Sequence, residues 1–359
     1  MPLKVALVGC GKIADGHVEE IQKMPARAQL VAVCDLEPVM AEQLASRYGI
    51  ASSYASFDQM LQAERPDVVH VTAPPQSHVT LSRTAIDVGC HVFVEKPLAL
   101  SYSDSKALVE YAAAAERKLT VGYTYWFDPP ALEMRRLLAQ GAVGNVLHVE
   151  SWYGYTLAGQ FGAGILADPG HWVHSLPGKL LHNNIDHLLN KLIEFIDDDE
   201  PRIEAIAWCG EGSPAENERM DDELRITVVG KRVSAYASFS AHVRPAAHFV
   251  RVYGDRCIMH VDYVGRTVTL EPGPTLPSAV GRLLPAFGQA RQFLRQASRN
   301  TIAFGRGDFQ FFSGLNRLIA TFYDSIIANT AAPIASRDIL RVAMWTDRVF
   351  AQTTSGNRP

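Results

Sequence analysis

Two short stretches of the sequence hold residues whose types and spacing could bind a ligand and carry out chemistry on it. The first runs from Gly9 to Ala14 with the pattern G-x-G-x-x-A, and Asp35 ends the next apolar stretch. Gly9 permits a tight turn, Gly11 lets a pyrophosphate approach the backbone, and Ala14 keeps the following helix close to the sheet. Asp35 stands about 20 residues further on, where a carboxylate can accept hydrogen bonds from ribose hydroxyls. The spacing predicts that the cofactor contacts Gly9, Gly11, Lys12, Ile13 and Asp35.

The carboxylate of Asp35 also bears on which dinucleotide binds. Its negative charge would repel a 2′-phosphate, so the sequence favours NAD over NADP. Lys12 favours the opposite preference, because its positive charge beside the ribose could offset the charge of that phosphate. We therefore predict NAD as the cofactor and keep NADP as the alternative.

The second stretch is Glu95-Lys96-Pro97, which directly follows the apolar residues Val92 to Val94. Small polar residues usually follow a strand, whereas this one ends in an ion pair and a proline. Open α/β sheets bind ligands at the carboxyl ends of their strands, so Lys96 would lie at a ligand site. The alternative is a solvated Glu–Lys pair that caps the strand.

The elements that position these residues can be predicted from hydrophobic runs. Runs at residues 4–9, 29–35, 67–73 and 91–97 are nearly continuous and are separated by helical segments, which indicates a parallel sheet covered on both faces. We predict a Rossmann domain, doubly wound and of α/β class, over residues 1–121. Between residues 202 and 272 six closely spaced strands follow without helical crossovers. Residues 122–359 are therefore predicted to form an α+β domain with a large open, mainly antiparallel sheet.

Bulk composition limits the class of protein. The chain has 359 residues, 47% of them hydrophobic, and a net charge of −4, so it can bury two cores without a general attraction to nucleic acid or membrane. Five scattered cysteines without a C-x-x-C pair favour a reducing cytoplasm over a disulfide framework. No apolar run reaches the roughly 20 residues that span a bilayer. We predict a soluble cytoplasmic protein.

Several stretches together resemble a known family. The segments GCGKIADGH (9–17), TAPPQSH (72–78) and VEKPLAL (94–100) are similar to those of the glucose–fructose oxidoreductase, inositol dehydrogenase and rhizopine-catabolism (Gfo/Idh/MocA) family. In that family the lysine of the EKP motif reaches the reacting hydroxyl beside the nicotinamide, and the Lys–Pro bond is often cis. The open sheet there carries substrate determinants and subunit contacts, which implies a homo-oligomer, a dimer or tetramer. The resemblance implies cofactor contacts from Thr72, Pro74, His78, Glu95 and Lys96.

The same resemblance points to a helix within residues 170–196. The family commonly has an aspartate four residues before a catalytic histidine, both on one helical face. His187 matches that histidine, but Asn183 replaces the acid. An amide can hydrogen-bond a hydroxyl without accepting its proton, so Lys96 and His187 are the candidate acid–base groups. Asn183 would then orient the substrate.

A cluster of histidines in this region raises the possibility of a metal. His171, His174, His182 and His187 fall within 17 residues. His182 and His187 stand about 140° apart around a helix, and the segment has no H-E-x-x-H pattern. We predict that no metal binds here.

Removal of hydride from an alcohol carbon requires a base near the hydroxyl. The residues around that base then indicate which class of alcohol binds. Six aromatic residues stand in the flanking segments: Trp126, Trp152, Tyr153, Tyr155, Phe161 and Trp172. Flat rings suit the C–H faces of a pyranose or cyclitol, although at least half of the six should be core residues. We predict a sugar, sugar derivative or cyclitol bound by Trp126, Tyr155, Trp172, Lys96, Asn183 and His187.

Three functions are compatible with these residues. The first is an NAD-dependent sugar or cyclitol dehydrogenase. The second is a glycoside-cleaving or epimerising enzyme that oxidises its substrate transiently and returns the hydride to tightly bound NAD. The third is a non-catalytic dinucleotide sensor, against which the presence of both Lys96 and His187 speaks.

One segment stands apart from the predicted chemistry. From Pro272 to Gly307 the sequence has five arginines and no Asp, Glu or Lys. Arg291, Arg295 and Arg299 stand four apart, and an apolar stripe keeps helical spacing beside them. The stripe consists of Val280, Leu283, Leu284, Phe287, Ala290, Leu294 and Ala297. Either this helix packs its stripe on its own domain, or it contacts another subunit or an anionic part of the substrate.

Overall fold

The computed structural model describes residues 1–159, 162–215, 220–273, 278–310 and 312–353, and the chain divides into two compact units. The N-terminal unit comprises Met1–Thr124 and Gly314–Met344, and the C-terminal unit comprises Tyr125–Ser313 and Trp345–Pro359. The sequence predicted a division at residues 121 and 122, with all later residues in the second domain. The structure instead groups residues 314–344 with the first unit.

The N-terminal unit is built on a six-stranded, fully parallel sheet. Its strands are β1 (Leu3–Val8), β2 (Ala28–Cys34), β3 (Ser52–Tyr54), β4 (Val68–Val71), β5 (His91–Val94) and β6 (Leu119–Val121). The order β3-β2-β1-β4-β5-β6 reverses direction between β1 and β4, which is where such folds bind nucleotides. The predicted Rossmann architecture is confirmed.

Helices connect these strands. They are α1 (Lys12–Gln22), α2 (Pro38–Tyr48), α3 (Phe57–Glu64), α4 (His78–Asp87) and α5 (Tyr102–Ala114). The strands read as continuous apolar runs because both sheet faces are covered, and Val5 to Leu7 and Val92 to Val94 are fully buried.

The C-terminal unit has a seven-stranded mixed sheet in the order β13-β12-β11-β7-β10-β9-β8. Its elements are α6 (Pro129–Ala139), β7 (Val146–Thr156), α7 (Ala163–Ala167), α8 (Lys179–Leu192), β8 (Arg202–Trp208), β9 (Glu223–Val229), β10 (Ser234–Ser240), β11 (His242–Gly254), β12 (Cys257–Asp262), β13 (Thr267–Pro272) and α9 (Ser278–Gly305). Strands β7 and β10 pair in parallel and all other neighbours pair antiparallel, so the predicted α+β class and mainly antiparallel sheet are confirmed.

The two faces of this sheet differ. Helix α8 packs on one face, where Ser151 of β7 donates a hydrogen bond to Leu188 O. On the other face Trp152 and Phe249 stack with ring centroids 6.2 Å apart, and the Arg225 guanidinium lies 5.5 Å from the Trp152 ring. Tyr236, on the neighbouring strand, is half exposed.

Two helices complete the chain, α10 (Ser313–Ile327) and α11 (Ser336–Thr353). Helix α10 buries Leu318, Ile319, Phe322 and Tyr323, and the Phe322 ring lies edge-on to Phe93 of β5 at 6.1 Å. This apolar contact explains why the chain returns to the N-terminal unit. Among the described residues, no helix is long and apolar enough to cross a membrane.

Candidate active site

The glycine turn lies between β1 and α1, as its pattern predicted. Gly9 has φ +97°, and a Cβ there would lie 2.3 Å from Ala73 N, so only glycine fits. Gly11 is the N-cap of α1, without a side-chain cap, and a Cβ there would meet nothing within 4 Å. Lys12 is exposed and Ile13 is half-buried at the first turn of α1. This open helix N-terminus has the form that binds a pyrophosphate.

Asp35 fastens the glycine turn to the end of β2. Its Oδ2 accepts a 2.6 Å hydrogen bond from Cys10 N, and its Oδ1 accepts one of 2.9 Å from Glu37 N. Each carboxylate oxygen has a second lone pair that a ribose hydroxyl can use. Burial, with Asp35 as a further cause, raises the pKa of Cys10 to about 12 and of Cys34 to about 11, so both thiols stay protonated.

The TAPPQSH segment holds neighbouring loops together. The Thr72 hydroxyl lies 2.6 Å from Gly9 O, and Pro74 is exposed. The fully buried His78 ring has Nδ1 at 2.7 Å from Pro97 O and Nε2 at 2.8 Å from Ala73 O. Burial lowers the pKa of His78, although both carbonyl contacts oppose that shift. Thr72 and His78 therefore brace the loops, and Pro74 is the accessible residue of the three.

The EKP turn stands at the carboxyl end of β5, and the Lys96–Pro97 peptide bond is cis, as the resemblance implied. Glu95 is only 9% exposed, while Lys96 is half-buried. The Lys96 N–H lies 3.2 Å from Glu95 Oε2. A Cβ on Gly122, at the end of β6, would lie 2.7 Å from Glu95 Oε1, so the carboxylate also needs that glycine.

A chain of buried polar side chains begins at Glu95. Its Oε1 lies 3.0 Å from His17 Nε2, and His17 Nδ1 lies 2.8 Å from His70 Nδ1. His70 Nε2 in turn lies 2.8 Å from the Tyr323 hydroxyl of α10, and the His70 ring stacks on Phe93 at 4.7 Å. His17, His70 and Tyr323 are all 0% exposed. Residues far apart in sequence thus form one hydrogen-bonded line behind the EKP turn.

Protonation states follow from this environment. Burial would raise the pKa of Glu95, but the hydrogen bond and charge of His17, with Lys96, outweigh it and hold the pKa below its usual value. Burial lowers the pKa of His70 strongly, so that ring is neutral at pH 7. An ionised carboxylate can only accept, so His17 Nε2 carries the proton in this contact.

Helix α8 of the C-terminal unit holds the second group of predicted site residues. Most of its residues are buried, whereas Lys179, Asn183 and His187 are half-buried at successive four-residue steps. Asn183 and His187 therefore share the one accessible face of the helix, as their spacing predicted.

Aromatic rings and a buried lysine surround His187. The rings of Tyr125 and Tyr153 lie edge-on at 5.0 and 5.1 Å. Lys191, one turn further along α8 and fully buried, donates to His187 O and contacts His248 Nε2. The Lys191 Nζ is also 5.2 Å from the Tyr125 ring centroid. Burial lowers the pKa of both Lys191 and His248 well below their usual values, which favours neutral forms.

The sequence did not predict three buried residues that lie near His187 or next to it in the chain: Lys191, His248 and Asp186. Lys191 could have been found, because it stands four residues after His187 on the same helix. His248 lies on β11, and no local spacing connects it with α8. Asp186 precedes His187 and is buried, so the helix does contain an acid next to the histidine.

The aromatic residues predicted to contact the substrate differ in how deeply they are buried. Trp126 is 7% exposed and donates from Nε1 to Asn190 O, and Tyr155 is buried with its hydroxyl near Asn184. Trp172 is half-buried and stacks on His171 at 5.4 Å. Of the other predicted aromatics, Phe161 lies outside the described residues. Trp172 is thus the most accessible of the three aromatic residues predicted to contact substrate.

The four histidines have separate environments. His171 Nδ1 accepts from Val173 N, His174 Nε2 lies 2.8 Å from Ile165 O, and His182 stacks on Phe350 at 5.0 Å. Within the parts of the chain that the structure describes, no group of three or more His, Cys, Asp or Glu is arranged to hold a metal.

A family model supplies the first comparison with known proteins. It is described as an oxidoreductase family with an NAD-binding Rossmann fold, and it matches residues 3–123. The N-terminal domain belongs to the Gfo/Idh/MocA oxidoreductase family. The resemblance read from its glycine turn and EKP motif is confirmed, and so is the prediction of an NAD-binding domain.

Two curated relatives match this Gfo/Idh/MocA domain over part of their length. D-glucoside 3-dehydrogenase of Escherichia coli is 32% identical over 145 residues, 40% of this chain and 41% of its own. Inositol 2-dehydrogenase of Salmonella typhimurium is 26% identical over 151 residues, 42% of this chain and 45% of its own. The match therefore spans less than half the length of these relatives.

Solved structures share the whole fold. An oxidoreductase from Agrobacterium radiobacter, in complex with NAD+, L-tartaric acid and magnesium, has a TM-score of 0.78 at 16% identity and covers 99% of this chain and 98% of its own. The WlbA dehydrogenase from Bordetella pertussis, in complex with NADH and UDP-GlcNAcA, also has a TM-score of 0.78 at 16% identity, with 99% and 96% covered. At these identities the likeness establishes the fold.

The geometry of the Gfo/Idh/MocA domain fits NAD. The space above Gly11 admits a pyrophosphate, the N-terminus of α1 provides amide donors, and Asp35 provides a carboxylate at the end of β2. Gly9, Gly11, Asp35 and the first turn of α1 are the residues that would hold it.

Gly9→Ala and Gly11→Ala form a matched pair that separates folding from cofactor binding. We expect Gly9→Ala to lower the free energy of unfolding by about 3 kcal/mol, because its Cβ clashes with backbone and its φ is positive. Gly11→Ala should change stability by less than about 1 kcal/mol, yet weaken NAD binding at least about tenfold by filling the pyrophosphate space. Chemical denaturation and calorimetric titration measure the two effects. An unchanged NAD affinity in Gly11→Ala would contradict this assignment.

The lowered pKa of Glu95 predicts a pH-dependent contribution to stability. Stabilisation by the ionised carboxylate is present above the ordinary value of 4.5 and is lost as pH falls below it through the folded-state pKa. At pH 7 we expect Glu95→Gln to cost about 2 kcal/mol, and the difference from the parent should shrink below pH 4.5. Urea denaturation at each pH, followed by hydrogen exchange in peptides from β4 and β5, measures this difference in the free energy of unfolding.

The matched control for that measurement is Glu110→Gln, which removes an exposed carboxylate that pairs with Lys106 on α5. It should change stability little at any pH. A Glu95→Gln difference that stays constant down to pH 3, well below the ordinary glutamate value of 4.5, would refute the assigned ionisation.

Proposed function

We propose that this protein is an NAD-dependent oxidoreductase that transfers hydride between the nicotinamide and a ring hydroxyl of a sugar, sugar derivative or cyclitol. The observation that carries the proposal is the EKP turn at the carboxyl end of β5. Strand β5 neighbours β4, which neighbours β1 and its glycine turn, so Lys96 belongs to the same sheet edge as the NAD site. A lysine at that edge can serve a reaction at the cofactor.

The chain's part in the reaction is to move a proton. Bound NAD+ supplies the hydride acceptor. As hydride leaves the carbinol carbon, the hydroxyl proton must leave too, and the neutral amine of Lys96 accepts it. The ionised Glu95, whose Oε2 lies 3.2 Å from Lys96 N, holds the turn that presents the lysine. In the reverse direction the Lys96 ammonium returns the proton to the carbonyl oxygen.

We assign supporting roles to Asn183 and His187. Their shared accessible face on α8 allows both to contact one substrate, with His187 sharing the proton and the Asn183 amide hydrogen-bonding a hydroxyl. Tyr125 and Tyr153 limit the rotation of the His187 ring. Trp172 would contact a C–H face of the substrate.

The substrate class is supported by the relatives' activities, which concern a glucoside in one case and inositol in the other. Cytoplasmic placement is supported by the five cysteines, all free thiols. We also propose a homo-oligomer whose subunits meet through the sheet face that carries Trp152, Phe249 and Tyr236. Sedimentation velocity of the parent protein measures whether it is a monomer, a dimer or a tetramer, and a monomer would contradict this assignment.

Cofactor preference provides the first test. Because the Asp35 carboxylate can accept ribose hydroxyls and repels a 2′-phosphate, NAD should bind at least tenfold tighter than NADP, or about 1.4 kcal/mol. Asp35→Asn removes the charge and should narrow that ratio. Calorimetric titration of both proteins with both dinucleotides measures it. Equal or tighter NADP binding by the parent protein would show that Asp35 does not select the cofactor.

Turnover provides the second test. The parent protein, mixed with NAD+ and a panel of cyclitols, glucosides and nucleotide-linked sugars, should form NADH with at least one of them. Lys96→Met should lower kcat at least ~100-fold while NAD affinity stays within a few-fold, as expected on loss of an acid–base group. His187→Ala should lower kcat less, because the histidine only shares the proton.

The control for Lys96→Met is Lys106→Met, which alters an exposed lysine of the same domain and should leave kcat unchanged. If Lys96→Met kept more than about a tenth of the parent turnover, the lysine would not be the base. Substrate conversion without accumulation of NADH would favour transient oxidation with tightly bound NAD. A panel in which nothing is converted would count against an enzyme of this substrate class.

A further inference from the structure

Helix α9 lies along the edge strand β13 and contacts it through amide side chains. Gln292 pairs with the backbone of Leu270, accepting from its N–H and donating to its carbonyl, both at 2.8 Å. Gln296 donates to Val268 O at 3.1 Å, and Asn300 donates to Gly265 O at 3.0 Å. These residues stand four apart, so one polar stripe of α9 faces its own domain.

The apolar stripe of α9 faces solvent instead. At about 100° per residue, Phe287 and Leu294 lie roughly half a turn from the amide stripe. The large apolar side chains of the helix are exposed by 48% to 74%: Leu284, Phe287, Phe293, Leu294, Ile302 and Phe304. The side chains of Val280 and Leu283 lie outside the described residues. The predicted alternative in which the stripe packs on its own domain is therefore wrong.

Positive charge borders this stripe. Arg291, Arg295, Arg299 and Arg306 are exposed. At about 100° per residue they share one sector of the helix, on one side of Phe287 and Leu294. No Asp, Glu or Lys occurs from Pro272 to Gly307. A helix of this kind, with phenylalanine and leucine on one face and only arginine charges beside it, has the composition of helices that lie in the surface of anionic membranes.

Pairing of α9 with the same helix of a second copy fits this charge pattern poorly. In a two-fold antiparallel pair, each flank of the stripe faces the same flank of the partner helix. Arginines would then face arginines, with no acid on either helix to offset them. The opposite flank of the stripe cannot face a second copy instead, because the amide side chains there are hydrogen-bonded to the backbone of β13. The exposed stripe calls for an apolar partner with negative charge at its surface.

We propose that α9 binds the surface of an anionic phospholipid bilayer and lies in the plane of the interface. Its apolar side chains would enter the boundary between headgroups and acyl chains, and its arginines would contact lipid phosphates. This proposal is independent of the reaction assigned to Lys96.

Vesicle flotation with the full chain tests the proposal. The protein should float with vesicles that mix phosphatidylcholine and phosphatidylglycerol, and at least about tenfold less with phosphatidylcholine alone. High salt should weaken the binding. A double substitution, Phe287→Ser with Leu294→Ser, and a triple substitution of Arg291, Arg295 and Arg299 by glutamine should each reduce flotation at least about tenfold.

Matched controls come from exposed residues elsewhere in the same unit. Val264→Ser removes an exposed apolar side chain outside α9, and a triple glutamine variant removes the same charge at Arg202, Arg232 and Arg244. Both controls should float like the parent. Circular dichroism melting should show that all variants remain folded, because every altered side chain is exposed.

The remaining outcomes would overturn the proposal. A parent protein that does not float has no membrane site, and one whose variants float unchanged binds through another surface. Sedimentation velocity tests whether a second copy of the chain covers the stripe instead. That would be the case if Phe287→Ser with Leu294→Ser lowers the mass in solution while the parent protein does not bind vesicles.

Discussion

The hydrogen bond between the buried carboxylate of Glu95 and His17 is the interaction on which the arrangement of the ligand-site turns in the N-terminal unit depends. Removing an ionised carboxylate from water costs several kcal/mol unless hydrogen bonds and opposite charge compensate it. His17 provides that compensation from α1, the helix that begins at the glycine turn. Gly122 leaves room for the carboxylate at the end of β6, and Lys96 follows it in the chain. One buried charge thus fixes the phosphate-binding helix and the lysine turn relative to each other.

The C-terminal unit uses a related arrangement, in which the buried ionisable group is a lysine in its neutral form. Lys191 is buried behind His187, in contact with its carbonyl oxygen, with His248 and with the ring of Tyr125. Burial favours its neutral amine, which can donate to the carbonyl and accept from the imidazole at once. In each unit, therefore, a buried ionisable residue supports the backbone of a residue assigned to proton transfer. Changes to these buried groups would act through position rather than by contact with substrate.

Local patterns were sufficient for much of this fold and insufficient for the rest. The glycine turn, the EKP turn and the Asn183–His187 spacing each lie within a few residues, so the sequence could predict them. Strands β3 and β6 have three residues each, too short for a periodic pattern. The line from Glu95 through His17 and His70 to Tyr323 joins residues up to 306 positions apart (323 − 17), and no local spacing encodes it. The parallel pairing of β7 with β10 is likewise non-local.

Helix α9 shows why the sequence can predict the helical spacing of an apolar stripe without predicting which way the stripe faces. Strand β13 is the last strand of its sheet, so one side of its backbone lacks a neighbouring strand. Unpaired N–H and C=O groups at an edge need partners, and a glutamine amide can supply both a donor and an acceptor. Gln292 does so at Leu270, which places the polar stripe against the sheet. Since the helix has one polar and one apolar side, satisfying the edge strand turns the apolar side outward. The hydrophobic pattern alone could not reveal this, because it records which residues share a face and not what that face meets.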